Sequence, residues 1–174
     1  LFSLLTALIP FQGYSESIAQ TTSYPNFCER AAEDDELFAN FKQNPIYRQI
    51  LEHVTYQEGQ EYLKIIQNDY PELLDYLPLF KQNDTIGNPK TYVYSGIGRI
   101  SPTTLRYIKV AGDLQRAFGD KLRSMHVVEI GGGYGGQCKI LSDIGAFASY
   151  TLIDLPQCNA LSKKYLSKLG VANV

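Results

Sequence analysis

The chain has 174 residues, a length that suits one domain or slightly more, and its 44% hydrophobic and 20% charged residues are ordinary for a globular protein. The net charge of −2 and the isoelectric point near 5.7 exclude the basic surface that nucleic-acid binding requires. Three widely spaced cysteines fit neither a disulfide framework nor a zinc site, and neither histidine has partners at ligand spacing, so no metal centre is expected.

The N-terminal segment begins with an apolar run over residues 1–11, which is too short to span a bilayer. Residues 17–19 follow with a small-x-small pattern that a signal peptidase accepts. This start has two interpretations, a truncated signal peptide or a packed segment. With the polar, turn-like residues 21–25, residues 1–24 are predicted to be a leader and linker. The first residue is not Met and residues 171–174 resemble the approach to a strand, so we expect part of a longer protein.

Residues 25–90 are predicted to form a small helical region. Apolar residues recur at helical spacing around the acidic run 33–36, which suits a helix start because negative charge complements the helix dipole. Further helices are predicted to begin at Pro45, to cover residues 59–68, and to run from Pro71 to about residue 77, before a loop at 81–90. This region is expected to be a scaffold or a cap over a substrate.

Residues 91–174 are predicted to contain the first half of a parallel α/β domain. A short extended piece (91–94) and a flexible segment (95–100) precede a helix with Ser101 as N-cap, Pro102 at its first position and Gly119 at its end. Strand, helix, strand and helix follow at about 125–130, 134–144, 149–154 and 156–169. This order with short connections implies a parallel sheet with right-handed crossovers.

The strongest functional signal is the glycine-rich segment 131–136, which holds five glycines between a predicted strand and a predicted helix. Glycine has no Cβ, so the backbone can turn sharply and approach a ligand closely. Asp154 lies nineteen residues after Gly135, at the carboxyl end of the next strand, where it can accept hydrogen bonds from both hydroxyls of an adenosine ribose. Both features meet at the sheet edge where ligands bind, and they predict a nucleotide site.

The glycine spacing satisfies two fingerprints. Gly131, Gly133 and Gly136 fit the G-x-G-x-x-G pattern of dinucleotide-binding enzymes. Glu129 with Gly131, Gly133 and Gly135 fits E-x-G-x-G-x-G, which resembles motif I of the S-adenosylmethionine-dependent methyltransferases with a Rossmann-like fold. An acidic residue at the end of a buried strand is costly unless it has partners, so Glu129 favours the second pattern.

Two further observations favour the methyltransferase pattern. About 125 residues precede the loop, whereas dinucleotide enzymes often place it near their start, and residues 153–156 look like the end of the second strand in many O-methyltransferases. Segments 100–107 (ISPTTLRY), 128–138 (VEIGGGYGGQC) and 152–156 (LIDLP) together resemble a bacterial family of sugar O-methyltransferases. The resemblance covers about residues 44–174.

The resemblance implies transfer of the sulfonium methyl group of S-adenosylmethionine to a hydroxyl of a small-molecule or glycan acceptor. The enzyme aligns donor and acceptor for in-line displacement, and a general base removes the hydroxyl proton. The implied cofactor-binding residues are Glu129, Gly131, Gly133, Tyr134, Gly135, Gln137 and Asp154. Among them, Tyr134 either covers the cofactor or packs against the loop, and Gln137 either bonds the cofactor or caps the helix.

Residues for the acceptor are less defined. Arg99 and Arg106 flank the start of the Ser-Pro helix and are candidates to hold an acidic or phosphorylated sugar, or to form surface or internal ion pairs. No catalytic base is identified. His126 is expected at the start of a strand, away from the site, and His53 can contribute only if the helical region folds over it.

We therefore expect an α/β, Rossmann-like methyltransferase fold with a C-terminally incomplete parallel sheet, preceded by a small helical region. The alternatives are an NAD(P)-dependent oxidoreductase or epimerase, and a truncated non-catalytic nucleotide-binding fragment. No nucleic-acid partner and no stable membrane span are expected. S-adenosylmethionine is an intracellular cofactor, so the expected location is the cytoplasm, or outside the cell if residues 1–19 are a signal peptide.

Overall fold

The computed structural model describes residues 4–5, 18–172 and 174, with side chains described from Tyr24 onward. The described helices are α1 (Ile18–Glu33), α2 (Asp35–Asn40), α3 (Pro45–Ile50), α4 (Tyr56–Asp69), α5 (Leu77–Phe80), α6 (Pro102–Phe118), α7 (Gly136–Asp143) and α8 (Pro156–Lys168). The strands are β1 (Leu4–Leu5), β2 (Tyr92–Tyr94), β3 (Gly98–Ile100), β4 (His126–Ile130) and β5 (Ser149–Ile153). Four 3-10 segments connect them, at Phe41–Gln43, Pro71–Tyr76, Lys81–Asp84 and Gly119–Ser124. The predicted α/β class is confirmed.

The strands described form two small sheets. In the parallel sheet β4 is central, with β1 on one side and β5 on the other, and Val128 lies opposite both Leu4 and Thr151. In the other sheet β2 and β3 form an antiparallel hairpin that pairs Tyr92 with Ile100. The β4–α7–β5 unit follows the predicted order of strand, helix and parallel strand.

Helix starts follow the sequence signals closely. Asp34 caps α2, since its carboxylate accepts hydrogen bonds from the N–H groups of Glu36 and Leu37 at 2.8 and 3.0 Å, so the acidic run does mark a helix start. Ser101 caps α6 through its hydroxyl, which accepts from the Thr103 N–H at 3.1 Å. Gly119 ends that helix with a positive φ of 56°.

Three segments differ from the prediction. The expected linker 21–25 is helical, because α1 continues through Pro25 and packs on α8, and this tertiary contact outweighs the cost of proline. The segment 95–100, expected to be flexible, ends in β3, whose backbone groups are paired with β2. The C-terminal residues 171, 172 and 174 have no regular structure. Most of the 1–19 segment, with its two interpretations, lies outside the described residues.

The buried core joins the helical region to the α/β unit. Phe41 and Tyr47 from the helical region pack with Tyr107, Tyr134 and Tyr165 in one aromatic cluster. Tyr134 belongs to the glycine-rich loop, so the cluster fixes that loop on the helical region. None of the helices in the described part of the chain has the length and apolar character needed to span a bilayer.

Candidate functional site

The glycine-rich loop turns out of β4 with three left-handed residues. Gly131, Gly133 and Gly135 have φ values of 74°, 57° and 85°, which favour glycine strongly over other residues. A Cβ on Gly131 would meet no atom within 4 Å, whereas one on Gly133 would come within 2.5 Å of the Leu51 side chain. Gly131 therefore faces open space, and Gly133 is held against the corner between α3 and α4.

Asp154 directly follows β5 and connects the end of that strand to the glycine-rich loop. One carboxylate oxygen accepts a hydrogen bond from the Gly133 N–H at 2.9 Å, and the other accepts from the Leu155 N–H at 2.7 Å. Each carboxylate oxygen has a further lone pair, and the side chain is half-buried, so Asp154 retains acceptor capacity for a ligand. The predicted meeting of the glycine loop and Asp154 is thus present in the structure.

Glu129 lies on β4 beneath the loop. It accepts a hydrogen bond from the Tyr150 hydroxyl at 2.9 Å. Burial raises the pKa of the Glu129 carboxyl to about 7, the Tyr150 hydrogen bond opposes this rise, and the nearby Asp154 adds to it. A Cβ on Gly132 would lie 3.1 Å from a Glu129 oxygen, so the glycine lets the loop pass close over this carboxyl.

Apolar side chains flank Asp154 at the ends of the two strands. Ile130 and Ile153, the last residues of β4 and β5, are 51% and 50% exposed, and Leu155 is 48% exposed. Large aliphatic side chains are seldom left this open without a partner when several lie together. They give the edge of the parallel sheet an apolar surface beside a hydrogen-bonding carboxylate.

The side chain of Tyr134, predicted either to cover the cofactor or to pack against the loop, is packed inward. It is 1% exposed, and its ring centroid lies 4.9 Å from that of Tyr165 and 5.5 Å from that of Phe41. Its hydroxyl accepts a hydrogen bond from the Asn83 side chain at 3.3 Å. The Lys42 ammonium lies 4.3 Å from the ring centroid, a cation–π distance.

Gln137 also faces the interior rather than the sheet edge. Its side chain is 5% exposed and donates a hydrogen bond to the Tyr107 carbonyl at 3.2 Å. The amide therefore links α7 to α6, and neither the cofactor contact nor the helix cap that the sequence suggested describes its side chain. A buried amide needs such a partner, because an unpaired one would carry a desolvation cost.

The two predicted acceptor arginines do not line a common hollow, and neither lines the cleft of about 810 Å³ at the α3–α4 corner. Arg99 lines a small hollow of about 310 Å³ together with Lys81, Asp84 and Thr91. The Arg106 guanidinium lies 5.3 Å from the centroid of the Tyr107 ring. The structure therefore does not assemble them into one anion site.

The large cleft, about 810 Å³, was not predicted from the sequence. Its walls come from the α3–α4 corner, the β2 strand with the segment before it, and the first turn of α6: Pro45, Arg48, Gln49, Glu52, His53, Val54, Thr55, Tyr56, Gln57, Lys90, Tyr92, Val93, Pro102 and Thr103. His53 lines this cleft, and Leu51, two residues before it, packs on Gly133 of the loop. His126 lies at the start of β4, where its ring nitrogens pair with Ser149 and Thr151.

Within the described ranges, no three His, Cys, Asp or Glu side chains are grouped so as to hold a metal ion. No protein-family model, curated protein or solved structure matches the chain.

Proposed function

We propose that the protein is an S-adenosylmethionine-dependent O-methyltransferase with a Rossmann-like methyltransferase fold, and that it methylates a sugar hydroxyl. The observation that carries the proposal is the hydrogen bond between Asp154, at the end of β5, and the Gly133 N–H in the loop after β4. This bond supports the proposal, because it holds a carboxylate that can accept hydrogen bonds from ribose hydroxyls beside a loop whose glycines allow close approach of a ligand. The motif with Glu129 two residues before the first glycine supports the same cofactor.

The residues present fit this cofactor. Gly131 leaves open space at the loop where the methionine part can approach the backbone. Asp154 has free acceptor capacity for the ribose hydroxyls, and the exposed Ile153 and Leu155 offer an apolar surface for the adenine ring. Glu129 lies beneath the loop, where its carboxyl can bond the polar end of the methionine part.

S-adenosylmethionine, when bound, supplies a methyl group that the positive sulfur activates for transfer. The task left to the protein is to hold the acceptor hydroxyl in line with that methyl group and to accept its proton. The glycine loop and Asp154 orient the donor side, and the helical region packed on Gly133 through Leu51 forms a wall for the acceptor side. This gives the helical region a role beyond scaffold.

A second candidate is an oxidoreductase or epimerase that uses a dinucleotide. One observation favours it: a Cβ on Gly136 would lie 2.5 Å from the Tyr107 ring, so this glycine permits close helix packing, as the third glycine of the dinucleotide fingerprint does. Both candidates use Asp154 for a ribose, and cofactor binding separates them.

Isothermal titration calorimetry with S-adenosylhomocysteine, S-adenosylmethionine and NADH tests the proposal. We expect both sulfur compounds to bind in a one-to-one ratio and NADH not to bind. Binding of NADH alone would replace the proposal by the second candidate, and binding of none of the three by correctly folded protein would contradict both.

The proposed cofactor is made and used inside cells, so we propose a cytoplasmic protein. Sequencing the N-terminus of the mature protein tests this. Cleavage after Ala19 would show instead that the segment is a signal peptide and would count against the enzyme assignment.

A further inference from the structure

We propose that the cleft at the α3–α4 corner is the acceptor site, that it takes a sugar or related polyol bearing an anionic group, and that Glu52 accepts the proton of the reacting hydroxyl. The proposal rests on the proposed methyltransferase function, because it assigns the second substrate of that reaction. Glu52 belongs to none of the motifs found in the sequence.

The wall of the cleft that contains Glu52 adjoins the glycine-rich loop through Leu51. Leu51 contacts the loop at Gly133, and Glu52 is the next residue, so its Cα lies about 3.8 Å from that of Leu51. The hydroxyl of Tyr134, a residue of the glycine-rich loop, lowers the pKa of the Glu52 carboxyl. A volume of about 810 Å³ suits a small-molecule substrate of sugar size.

Glu52 has an unused hydrogen-bonding atom at this cleft. Its Oε1 is inaccessible to solvent and has no hydrogen-bond partner among the described residues. Buried carboxylate oxygens are normally paired, because an unpaired one forfeits its interactions with water. Glu52 lines the cleft, and a turn of its side chain would bring Oε1 to the cleft surface, where an acceptor hydroxyl would supply the missing donor and would be oriented by the same bond.

The surroundings of Glu52 also suit a base. Burial raises the pKa of its carboxyl, and the nearby Lys42 ammonium and the Thr103 and Tyr134 hydroxyls oppose this rise, while Asp84 adds to it. A carboxyl whose pKa is moved towards neutrality is a better proton acceptor than an exposed one. Lys42 is 1% exposed and donates to the Asn83 carbonyl at 2.6 Å, which fixes its position; burial lowers its pKa, and the Glu52 and Asp84 carboxylates oppose this fall.

The other groups on the cleft indicate the class of acceptor. Arg48 and Lys90 bring two positive charges, and Arg can bind a carboxylate or phosphate through two parallel hydrogen bonds. Tyr56 and Tyr92, whose ring centroids are 5.3 Å apart, provide aromatic surface. Burial and the nearby Arg106 lower the pKa of His53, which favours the neutral imidazole, a group that can both donate and accept hydrogen bonds with hydroxyls.

The transfer step makes one bond to the methyl carbon, breaks one bond from it and moves one proton to Glu52. The acceptor oxygen forms a bond to the methyl carbon while the bond from that carbon to sulfur breaks, and sulfur keeps the electron pair. The O–H bond of the acceptor breaks and its proton passes to the Glu52 carboxylate. No oxidant, reductant or further reactant is required.

Nuclear magnetic resonance titrations of the protein with glucuronate, glucose 6-phosphate and glucose test the binding part. We expect amide shifts at Thr55, Gln57 and Val93 with an anionic sugar, weaker shifts with glucose, and at least a severalfold loss of affinity in Arg48→Met. Arg123→Met is the matched control, since this exposed arginine lies on the Gly119–Ser124 segment and does not line the cleft, so its loss should leave the shifts unchanged. Absence of shifts at the cleft with both anionic sugars, or shifts that survive Arg48→Met, would overturn the assignment.

Methyl transfer to whichever sugar binds tests the role of Glu52. Glu52→Gln keeps the size of the side chain, and it should lower kcat about 100-fold or more with little change in KM, as expected for loss of a general base. Unchanged kcat would overturn the role of Glu52. The binding of S-adenosylhomocysteine is measured in parallel. If the protein binds S-adenosylhomocysteine but no sugar, only the acceptor site is rejected. If it does not bind S-adenosylhomocysteine, the proposed function is rejected.

Discussion

The carboxylate of Asp154 accepts a hydrogen bond from the backbone N–H of Gly133 at 2.9 Å. This contact ties the end of β5 to the loop after β4, so the two sequence features that predicted a nucleotide site are physically coupled. A change at Asp154 should therefore act on the shape of the loop as well as on a bound ribose.

Asp154→Asn should weaken the binding of S-adenosylhomocysteine by about 10- to 100-fold, because hydrogen bonds to a charged group contribute about 1.5–3 kcal/mol. The amide keeps one acceptor oxygen but replaces the other with a donor, which faces a backbone N–H. Calorimetry gives the affinity and urea unfolding gives the stability.

Asp113→Asn is the control for this change. Asp113 also accepts two hydrogen bonds, from Tyr70 and Lys109 at 2.6 Å each, but on the α6 surface. It should lose stability without losing cofactor affinity. Equal affinity losses in both variants would show that Asp154 acts only through the fold.

The Glu129 carboxyl should make stability depend on pH. Its pKa is raised from 4.5 to about 7 in the folded protein, so the folded state binds the proton more tightly. The stability contribution of the protonated form is complete below about pH 4.5 and is lost as pH rises through 7. Glu129→Gln should thus be more stable than the natural protein above pH 7, by roughly 1–3 kcal/mol.

Urea unfolding of both proteins between pH 4 and pH 8 measures this difference. Tyr150→Phe is a useful comparison, because its hydroxyl lowers the Glu129 pKa and its loss should move the transition to higher pH. A stability difference that does not vary with pH would argue against a buried, titrating Glu129.

Tyr134→Phe tests the inward position of the loop tyrosine. The ring stays in the aromatic cluster and only the hydroxyl is lost, with its hydrogen bond from Asn83. We expect a loss of about 0.5–1.5 kcal/mol in unfolding free energy and S-adenosylhomocysteine affinity within about twofold of the natural protein. A large loss of affinity at unchanged stability would instead place the hydroxyl on the cofactor.

Gly112→Ala should destabilise the protein even though alanine favours helices. A Cβ at this position of α6 would lie 2.3 Å from the Tyr70 ring, and overpacking of this kind costs about 1–3 kcal/mol. The exposed Ala117 in the same helix provides the comparison, because Ala117→Gly should cost about 1 kcal/mol from helix propensity alone. Thermal unfolding of both variants gives the result, and a more stable Gly112→Ala variant would contradict the packing.

The features that sequence alone predicted are those set by neighbouring residues. The Ser101–Pro102 helix start, the loop after β4 and the position of Asp154 after β5 follow from capping, glycine and strand patterns within a few positions. The parallel pairing of β4 and β5 follows from the short helical connection between them.

The features that it did not predict depend on contacts between distant residues. Gln137 faces inward because the Tyr107 carbonyl on α6 accepts its hydrogen bond, and packing on Tyr165 decides the position of Tyr134, for which the sequence left two roles open. Glu52 lines the cleft beside Leu51, which packs on Gly133, and no local pattern encodes this contact between distant segments. The helix through Pro25 likewise depends on packing against α8.

The most direct test of the central claim is a titration of the isotope-labelled protein with S-adenosylhomocysteine, followed by amide shifts in nuclear magnetic resonance spectra. We expect the largest shifts at Gly131, Gly133 and Leu155, which lie at the proposed cofactor position on the loop and beside Asp154. Saturable binding with its largest shifts elsewhere, or no binding by the folded protein, would contradict this claim.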